Sequence, residues 1–159
     1  MYQPLKPFQA NAFVTNKLRV AIIHTAWHTS IISALVEGAK KTCLDQGVAP
    51  ENIDVFEVAG SFELPQMANH LARRGHYGAI IPIGCLIKGE TIHFEIIAQT
   101  VTRALDEVAR ENDVPISLGV ITVNTMEQAL ARAGGELGNK GSEAAIAALE
   151  LAQHFSYTH

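Results

Sequence analysis

The chain is poor in charge, in aromatic residues and in cysteine. Only 18% of its 159 residues are charged, the net charge is −4 and no basic run occurs, so nucleic acid and acidic lipid surfaces are not expected partners. No apolar run approaches a membrane span in length, and the N-terminal residues lack the apolar core of a secretory signal. A hydrophobic content of 48% is ordinary for a globular protein. We therefore expect a cytoplasmic protein of single-domain size, with no membrane partner.

Two cysteines and scattered histidines make a poor metal site. Cys43 falls in a predicted helix and Cys85 at a strand end, with no further ligand candidates beside them, which indicates reduced thiols. His24 and His28 are four residues apart, but a strand-to-loop change between them breaks the shared face that a helical metal pair needs. No serine stands in a nucleophile elbow. The sequence favours neither metal nor acyl-enzyme chemistry.

Strand and helix signals alternate along the chain. The predicted strands are 18–24, 53–58, 79–84 and 116–123, and the predicted helices are 29–46, 64–74, 93–112, 125–133 and 140–151. Near-continuous apolar runs are typical of buried parallel strands. Four strands that are each followed by a helix predict an α/β protein of three layers, with a four-stranded parallel sheet and helices on both faces. Residues 1–17 are predicted to be an irregular segment ahead of one domain, 18–159.

The stretch 84–95 places a glycine-bracketed loop between a strand and a helix, with Thr91 and His93 where the helix begins. Free N–H groups at such a position attract anions, most often phosphate, and a histidine there can carry protons. The loop lacks the Lys-Ser/Thr pair of a nucleotide P-loop, and a Glu90 carboxylate facing the site would repel an anion. From this loop alone, an anion site and an ordinary strand-to-helix turn are equal alternatives.

Ligands of open parallel sheets bind beyond the carboxyl ends of the strands. Four segments of this chain meet there: 24–28, 60–63, 85–93 and 122–124. Trp27 and Phe62 could stack on a flat heterocycle or simply seal the end of the sheet. Arg132 and the turn 138–141 supply cations, which are solvated surface groups unless they reach a phosphate in a neighbouring subunit.

Four blocks in series carry a family resemblance. They are Gly60–Pro65, Gly84–Glu95, Glu127–Gly134 and Gly138–Gly141, and in order and spacing they resemble 6,7-dimethyl-8-ribityllumazine synthases from Leu18 to Leu151. The resemblance implies a flavodoxin-like fold and the penultimate step of riboflavin synthesis. In that step 5-amino-6-ribitylaminouracil condenses with 3,4-dihydroxy-2-butanone 4-phosphate, releasing phosphate and water, without metal or organic cofactor.

The resemblance also implies an assembly. Family members are homo-oligomers built on pentamers, with active sites between subunits, and some pack pentamers into hollow shells. Riboflavin synthase is the implied protein partner. The segment 1–17 is then free to pair with the sheet of a neighbouring subunit.

Site residues follow from the resemblance, position by position. His93 matches the proton-transfer histidine, and Trp27 matches the aromatic that stacks on the pyrimidine, usually phenylalanine in the family. The implied pyrimidine and ribityl contacts are Ser61, Phe62, Glu63, Leu86, Ile87, Lys88 and Leu118. Leu118 also stands where the family often has phenylalanine. The implied phosphate contacts are Glu90, Thr91 and Arg132, with Lys140 and Glu143 supporting them from the neighbouring subunit.

Three other functions compete with this one. An archaeal-type riboflavin synthase shares the fold, although the full Gly60–Pro65 block and the segment from Arg132 to Lys140 favour the lumazine enzyme. A flavin-binding or storage protein is left open by Trp27 and Leu118. A mainly structural, shell-forming protein is the third alternative, because the turn between Arg132 and Lys140 is not lengthened.

Overall fold

The computed structural model describes Gln3 and residues 6–158. Its central parallel sheet consists of β1 (Val20–Thr25), β2 (Ile53–Val58), β3 (Ala79–Ile87) and β4 (Gly119–Val123), in the order β2-β1-β3-β4. The helices are α1 (Ala12–Thr15), α2 (Thr29–Asp45), α3 (Leu64–Arg73), α4 (His93–Asn112), α5 (Met126–Arg132) and α6 (Lys140–Tyr157). Two 3-10 turns, Pro50–Asn52 and Ser61–Glu63, and a small hairpin of β5 (Ala133–Gly135) and β6 (Gly138–Asn139) complete the described chain.

The central strands are buried on both faces. In β1, Val20 and Ile22 pack in one core cluster with residues of α2, α5 and α6, whereas Ala21 and Ile23 pack in a second cluster with residues of α3 and α4. Because side chains alternate across a strand, a strand covered on both faces must be apolar at every position. The predicted class, an α/β protein with a four-stranded parallel sheet between two helical layers, is confirmed.

The chain order creates a crevice beside β1. From β1 the chain passes through α2 to the edge strand β2, and from β2 it crosses back through α3 to β3, on the other side of β1. The connections leave β1 and β3 in opposite directions, as in flavodoxin-like folds, and ligands bind at such a switch point. The fold therefore predicts a site where β1 and β3 end.

Several boundaries differ from the sequence prediction. β3 does not end at Gly84 but runs to Ile87, because β4 pairs with it as far as Val123. β4 itself begins at Gly119, and Ile116 forms only an isolated bridge with Ile80. The β5–β6 hairpin was not predicted, since a two- to three-residue ladder has no periodicity to detect.

The N-terminal segment and the end of α6 were also mispredicted in part. Asn11 begins the short helix α1 by accepting a hydrogen bond from the Phe13 amide, so 1–17 is not irregular throughout. The Asn11 amide donates to Gln153 Oε1 at 2.6 Å and its Nδ2 donates to the Tyr157 hydroxyl at 3.0 Å. These bonds tether the end of α6 to the N-terminal segment. The helix continues to Tyr157, six residues beyond the predicted end at Leu151. Residues 1, 2, 4 and 5 lie outside the described residues, and both the division of the chain at residue 17 and the pairing of 1–17 with a neighbour stay predictions.

Two absences can be stated for the described chain. Among the helices of residues 6–158, none combines the length and the apolarity that a membrane crossing requires. Within the same residues, no three His, Cys, Asp or Glu side chains gather closely enough to hold a metal ion.

Candidate functional site

A cavity of about 390 Å³ opens where β1 and β3 end. Ligand sites in proteins commonly have volumes of this order, about 300–1,000 Å³. Its lining consists of Thr25, Trp27, His28, Gly60, Ser61, Phe62, Glu63, Cys85, Leu86, Ile87, Gly89, Thr91, His93, Phe94 and Ile97. Three of the four predicted segments thus supply its walls, and the fourth, 122–124, does not.

The loop after β1 forms the first wall. Trp27 exposes 68% of its surface, so one face of a large indole is available at the cavity. His28, the next residue, has a left-handed backbone (φ 54°, ψ 57°) and precedes α2 without capping it through its side chain. Beneath them, the buried Oγ1 of Thr25 has no hydrogen-bond partner among the described residues.

The Gly60–Glu63 turn forms the second wall. A methyl group at Gly60 would lie 3.3 Å from the Glu63 carboxylate and 3.6 Å from the Trp27 indole nitrogen. A side chain at Gly60 would therefore crowd the Glu63 carboxylate, and glycine keeps this part of the lining open. Ser61 is buried, whereas Phe62 exposes 62% of its surface at the rim.

The end of β3 and the start of α4 form the third wall. Leu86 and Ile87 are partly buried at the end of β3. Burial raises the pKa of the Cys85 thiol to about 11, so this thiol stays protonated near neutral pH and is a weak nucleophile. Its predicted role as a small buried hydrophobe agrees with that environment.

The loop between β3 and α4 leaves open space. Gly89 has no positive φ, and a methyl group there would meet nothing within 4 Å. Thr91 Oγ1 accepts a hydrogen bond from the His93 amide at 3.3 Å, and His93 is the exposed first residue of α4. The first turn of a helix leaves backbone N–H groups without intrahelical partners. This wall therefore combines an imidazole, a hydroxyl and free amides.

Six predicted site residues do not line this cavity: Lys88, Glu90, Leu118, Arg132, Lys140 and Glu143. Lys88 lies beside it and approaches Glu95 at 3.8 Å. Arg132, at the end of α5, donates to the Gln128 carbonyl at 3.0 Å. Lys140 and Glu143 form an ion pair at 3.1 Å on α6. No lysine or arginine of the described chain lines the cavity, which holds the Glu63 carboxylate and two histidines as its ionisable polar groups.

The turn 138–141 is fixed by packing. The Asn139 side chain accepts from the Ser142 amide at 3.0 Å and donates to the Ala34 carbonyl at 3.0 Å, which ties the start of α6 to α2. A methyl group at Gly141 would overlap the Leu35 carbonyl oxygen. Asparagine and glycine in this block hold the two helices together.

Sequence reasoning missed several lining residues. The segment 24–28, which contains Thr25 and His28, is expected at this edge of the sheet, but the sequence assigns neither side chain a binding role and rejects His28 as a metal ligand. Phe94 and Ile97 carry the apolar periodicity of α4, which does not distinguish a core contact from a cavity wall. A loop glycine such as Gly89 can serve either a tight turn or the close approach of another group to the backbone. The sequence does not distinguish these two roles, whereas the structure shows the space around the residue.

Comparisons with known proteins agree with the resemblance. The family model described as 6,7-dimethyl-8-ribityllumazine synthase matches residues 17–156. A 6,7-dimethyl-8-ribityllumazine synthase of Pediococcus pentosaceus is 40% identical over 139 residues, covering 87% of this chain and 89% of that protein. Among solved structures, the chain is similar to a de novo designed Rossmann fold protein with a TM-score of 0.41 and 16% identity, over 75% of this chain and 99% of that one. On the family match and the 40% identity, the chain belongs to the 6,7-dimethyl-8-ribityllumazine synthase family.

Proposed function

We propose that the chain catalyses the condensation of 5-amino-6-ribitylaminouracil with 3,4-dihydroxy-2-butanone 4-phosphate, giving the lumazine, phosphate and water. The observation that carries the proposal is the cavity, which joins Trp27, the Ser61–Glu63 turn, the end of β3 and His93 in one space. Those are the residues that the family resemblance implies for the uracil, the ribityl chain and proton transfer. A flat heterocycle with a polyol tail fits such a lining.

The uracil is proposed to stack on Trp27, because an exposed indole offers a polarisable face to a flat ring. Leu86 and Ile87 bind its edge through backbone groups, with Lys88 beside them. Ser61, Phe62 and Glu63 hold the ribityl chain, whose hydroxyls match the Glu63 carboxylate as hydrogen-bond donors.

The phosphate is proposed to lie over Gly89 and Thr91, where open space meets the free amides of α4. Glu90 takes part through its backbone, with its carboxylate turned away. A phosphate held in a cavity without cations would be poorly balanced, since burying an unpaired charge is costly. We infer that Arg132 of a neighbouring subunit completes the site, with Lys140 and Glu143 supporting it and Leu118 covering the ring.

This arrangement requires a homo-oligomer, and we propose one built on pentamers. Exposed Trp27 and Phe62 at the cavity and exposed Leu118 outside it support a subunit contact, because large apolar groups gain from being covered. The free, buried thiols of Cys43 and Cys85 support a reducing compartment, and we propose the cytoplasm. Riboflavin synthase, which would use the product, is the proposed protein partner.

The proposed mechanism rests on positioning and proton transfer. Holding two substrates in contact makes the condensation effectively unimolecular, which can contribute about 7–11 kcal/mol. The 5-amino nitrogen attacks the butanone carbonyl and an imine forms with loss of water. His93 exchanges protons as phosphate leaves and the enol tautomerises to a ketone, and the ribitylamino nitrogen then attacks that carbonyl and closes the ring with loss of a second water. Each step needs only proton transfer and charge stabilisation, so we propose catalysis without metal or organic cofactor.

The test is a lumazine assay with chelator-treated protein. Absorbance should show formation of lumazine faster than in an enzyme-free control, with phosphate released in equal amount. Folded protein that gives no acceleration would contradict the proposal. A riboflavin titration would then examine the flavin-binding alternative, which the exposed indole of Trp27 favours.

Two variants separate the proposed roles. His93→Ala should lower kcat about 100-fold, within the usual contribution of general acid–base catalysis. Arg132→Ala should mainly raise KM for the phosphate substrate, by about tenfold or more, the worth of one charge-assisted hydrogen bond. Arg110→Ala is the matched control, because Arg110 pairs with the exposed Asp106 on the same helix, at 2.9 Å, and does not line the cavity. Equal loss in both variants, or loss in the control, would contradict the assignment.

A further inference from the structure

His28 lines the cavity, yet the family resemblance gives it no role. It shares the lining with His93, and the two imidazoles stand where α2 and α4 begin, the helices that follow β1 and β3 beside the crevice. Its backbone carbonyl accepts the first bond of α2, from the Ile32 amide at 3.0 Å. Its ring caps nothing on α2 and hydrogen bonds no other described residue.

The fold gains nothing evident from the imidazole itself. His28 has φ 54° and ψ 57°, a left-handed conformation that is unfavourable for most residues with a Cβ. Glycine would adopt it freely, and asparagine adopts it readily and is also a good N-cap. Side chains held in unfavourable backbone conformations without local compensation are concentrated at functional sites. The reason for a histidine here is therefore to be sought in the cavity.

The reaction needs proton carriers at two places. Imine formation moves a proton from the attacking amine to the departing carbonyl oxygen, at the uracil end. Loss of phosphate and tautomerisation move protons at the other end, above Gly89 and Thr91. His93 begins α4 next to that second position, whereas His28 follows Trp27, on which the uracil is proposed to stack. Cys85 holds its proton too strongly to serve, because burial raises its pKa to about 11.

We propose that His28 is a second catalytic residue, which takes a proton from the 5-amino nitrogen as its bond to the carbonyl carbon forms, returns it to the carbonyl oxygen, and then passes the second N–H proton to that oxygen as it leaves as water. A C=N double bond replaces the C=O double bond, both protons of the amine leave in the water, and the imidazole ends in its starting state. His93 then serves the phosphate end alone. This inference rests on the proposed lumazine synthesis and adds a group to it.

His28→Asn and His28→Gly test the role without disturbing the backbone, since both residues suit a left-handed conformation. We expect kcat to fall about 100-fold in both, KM for each substrate to stay within about threefold, and thermal stability to be equal or higher. Added imidazole should restore part of the rate of His28→Gly, where the side-chain space is empty. His76→Asn, at an exposed position between α3 and β3, is the matched control and should equal the parent.

The outcomes are distinct. An active parent with His28→Asn as fast as His76→Asn would overturn the inference and leave the proposed function standing. Slow variants with strongly raised KM and no response to imidazole would show a binding role and also overturn it. A parent that forms no lumazine would overturn the proposed function, and this inference with it. Slow turnover, unchanged KM and rescue by imidazole would support it.

Discussion

Gly141→Ala should destabilise the fold strongly, although alanine is the better helix former. Gly141 is the second residue of α6, and a methyl group there would overlap the carbonyl oxygen of Leu35 on α2. The same methyl would lie 2.7 Å from the Leu35 carbonyl carbon and 3.0 Å from Asn139 Oδ1. Backbone cannot rotate away as a flexible side chain can, so α2 and α6 must move apart.

The magnitude follows from what the separation disturbs. Leu35 and Leu149 are fully buried in the cluster that α2 and α6 share, and overpacking such a core costs about 1–3 kcal/mol. The two hydrogen bonds of the Asn139 side chain cross the same contact, and weakening them costs about 1 kcal/mol each. Higher helix propensity returns about 1 kcal/mol. We therefore expect a net loss of about 2–4 kcal/mol in the free energy of unfolding.

Thermal unfolding followed by circular dichroism, at one fixed protein concentration because of the proposed oligomer, is the measurement. For a chain of this length, a loss of 3 kcal/mol lowers Tm by about 6–12 °C. Gly89→Ala is the matched control, because a methyl group there meets nothing within 4 Å, and its Tm should equal that of the parent or exceed it slightly. A Gly141→Ala protein with the Tm of the control would refute the argument from close packing.

Two further predictions concern the site and the core. Gly89→Ala should keep its stability but raise KM for the phosphate substrate about tenfold. The added methyl group enters the space proposed for the phosphate, and the expected cost is about that of one charge-assisted hydrogen bond. An unchanged KM in steady-state kinetics would argue against a phosphate at this position. Burial raises the pKa of the Cys43 thiol to about 12. Below pH 9.0, the ordinary thiol pKa, the Cys43 thiol keeps its proton in both the folded and the unfolded protein. Between that pH and about 12 only the unfolded protein loses the proton, so the free energy of unfolding falls as pH rises. Between pH 8 and 10 the unfolding free energy of the parent should drop by about 1.4 kcal/mol more than that of Cys43→Ala. Urea unfolding at a series of pH values measures both, and the same pH dependence for the two proteins would contradict the burial of the thiol.

The residues that line two walls of the cavity were predicted in groups because each group is local in sequence. The Gly60–Glu63 turn follows β2, the stretch from Cys85 to His93 runs from the end of β3 into α4, and parallel strands bring their carboxyl ends to one edge. The same reasoning placed the segment 24–28 at this edge, but it could not show that the His28 side chain enters the cavity. Its side chain reaches the cavity through a left-handed turn of one residue, which leaves no periodic pattern in the sequence.

The sequence by itself determined the α/β class, the order of strands and helices and the family, since each depends on local periodicity and on motifs read in series. Only the tertiary structure decided where β3 ends, because pairing with β4 sets that limit. It also decided why residue 141 must be glycine, because the carbonyl of Leu35, distant in sequence, occupies the space of a side chain. It also decided which side chains share the cavity and which, such as Arg132 and Lys140, lie outside it. Contacts between distant residues arise from packing in three dimensions, which no local pattern encodes.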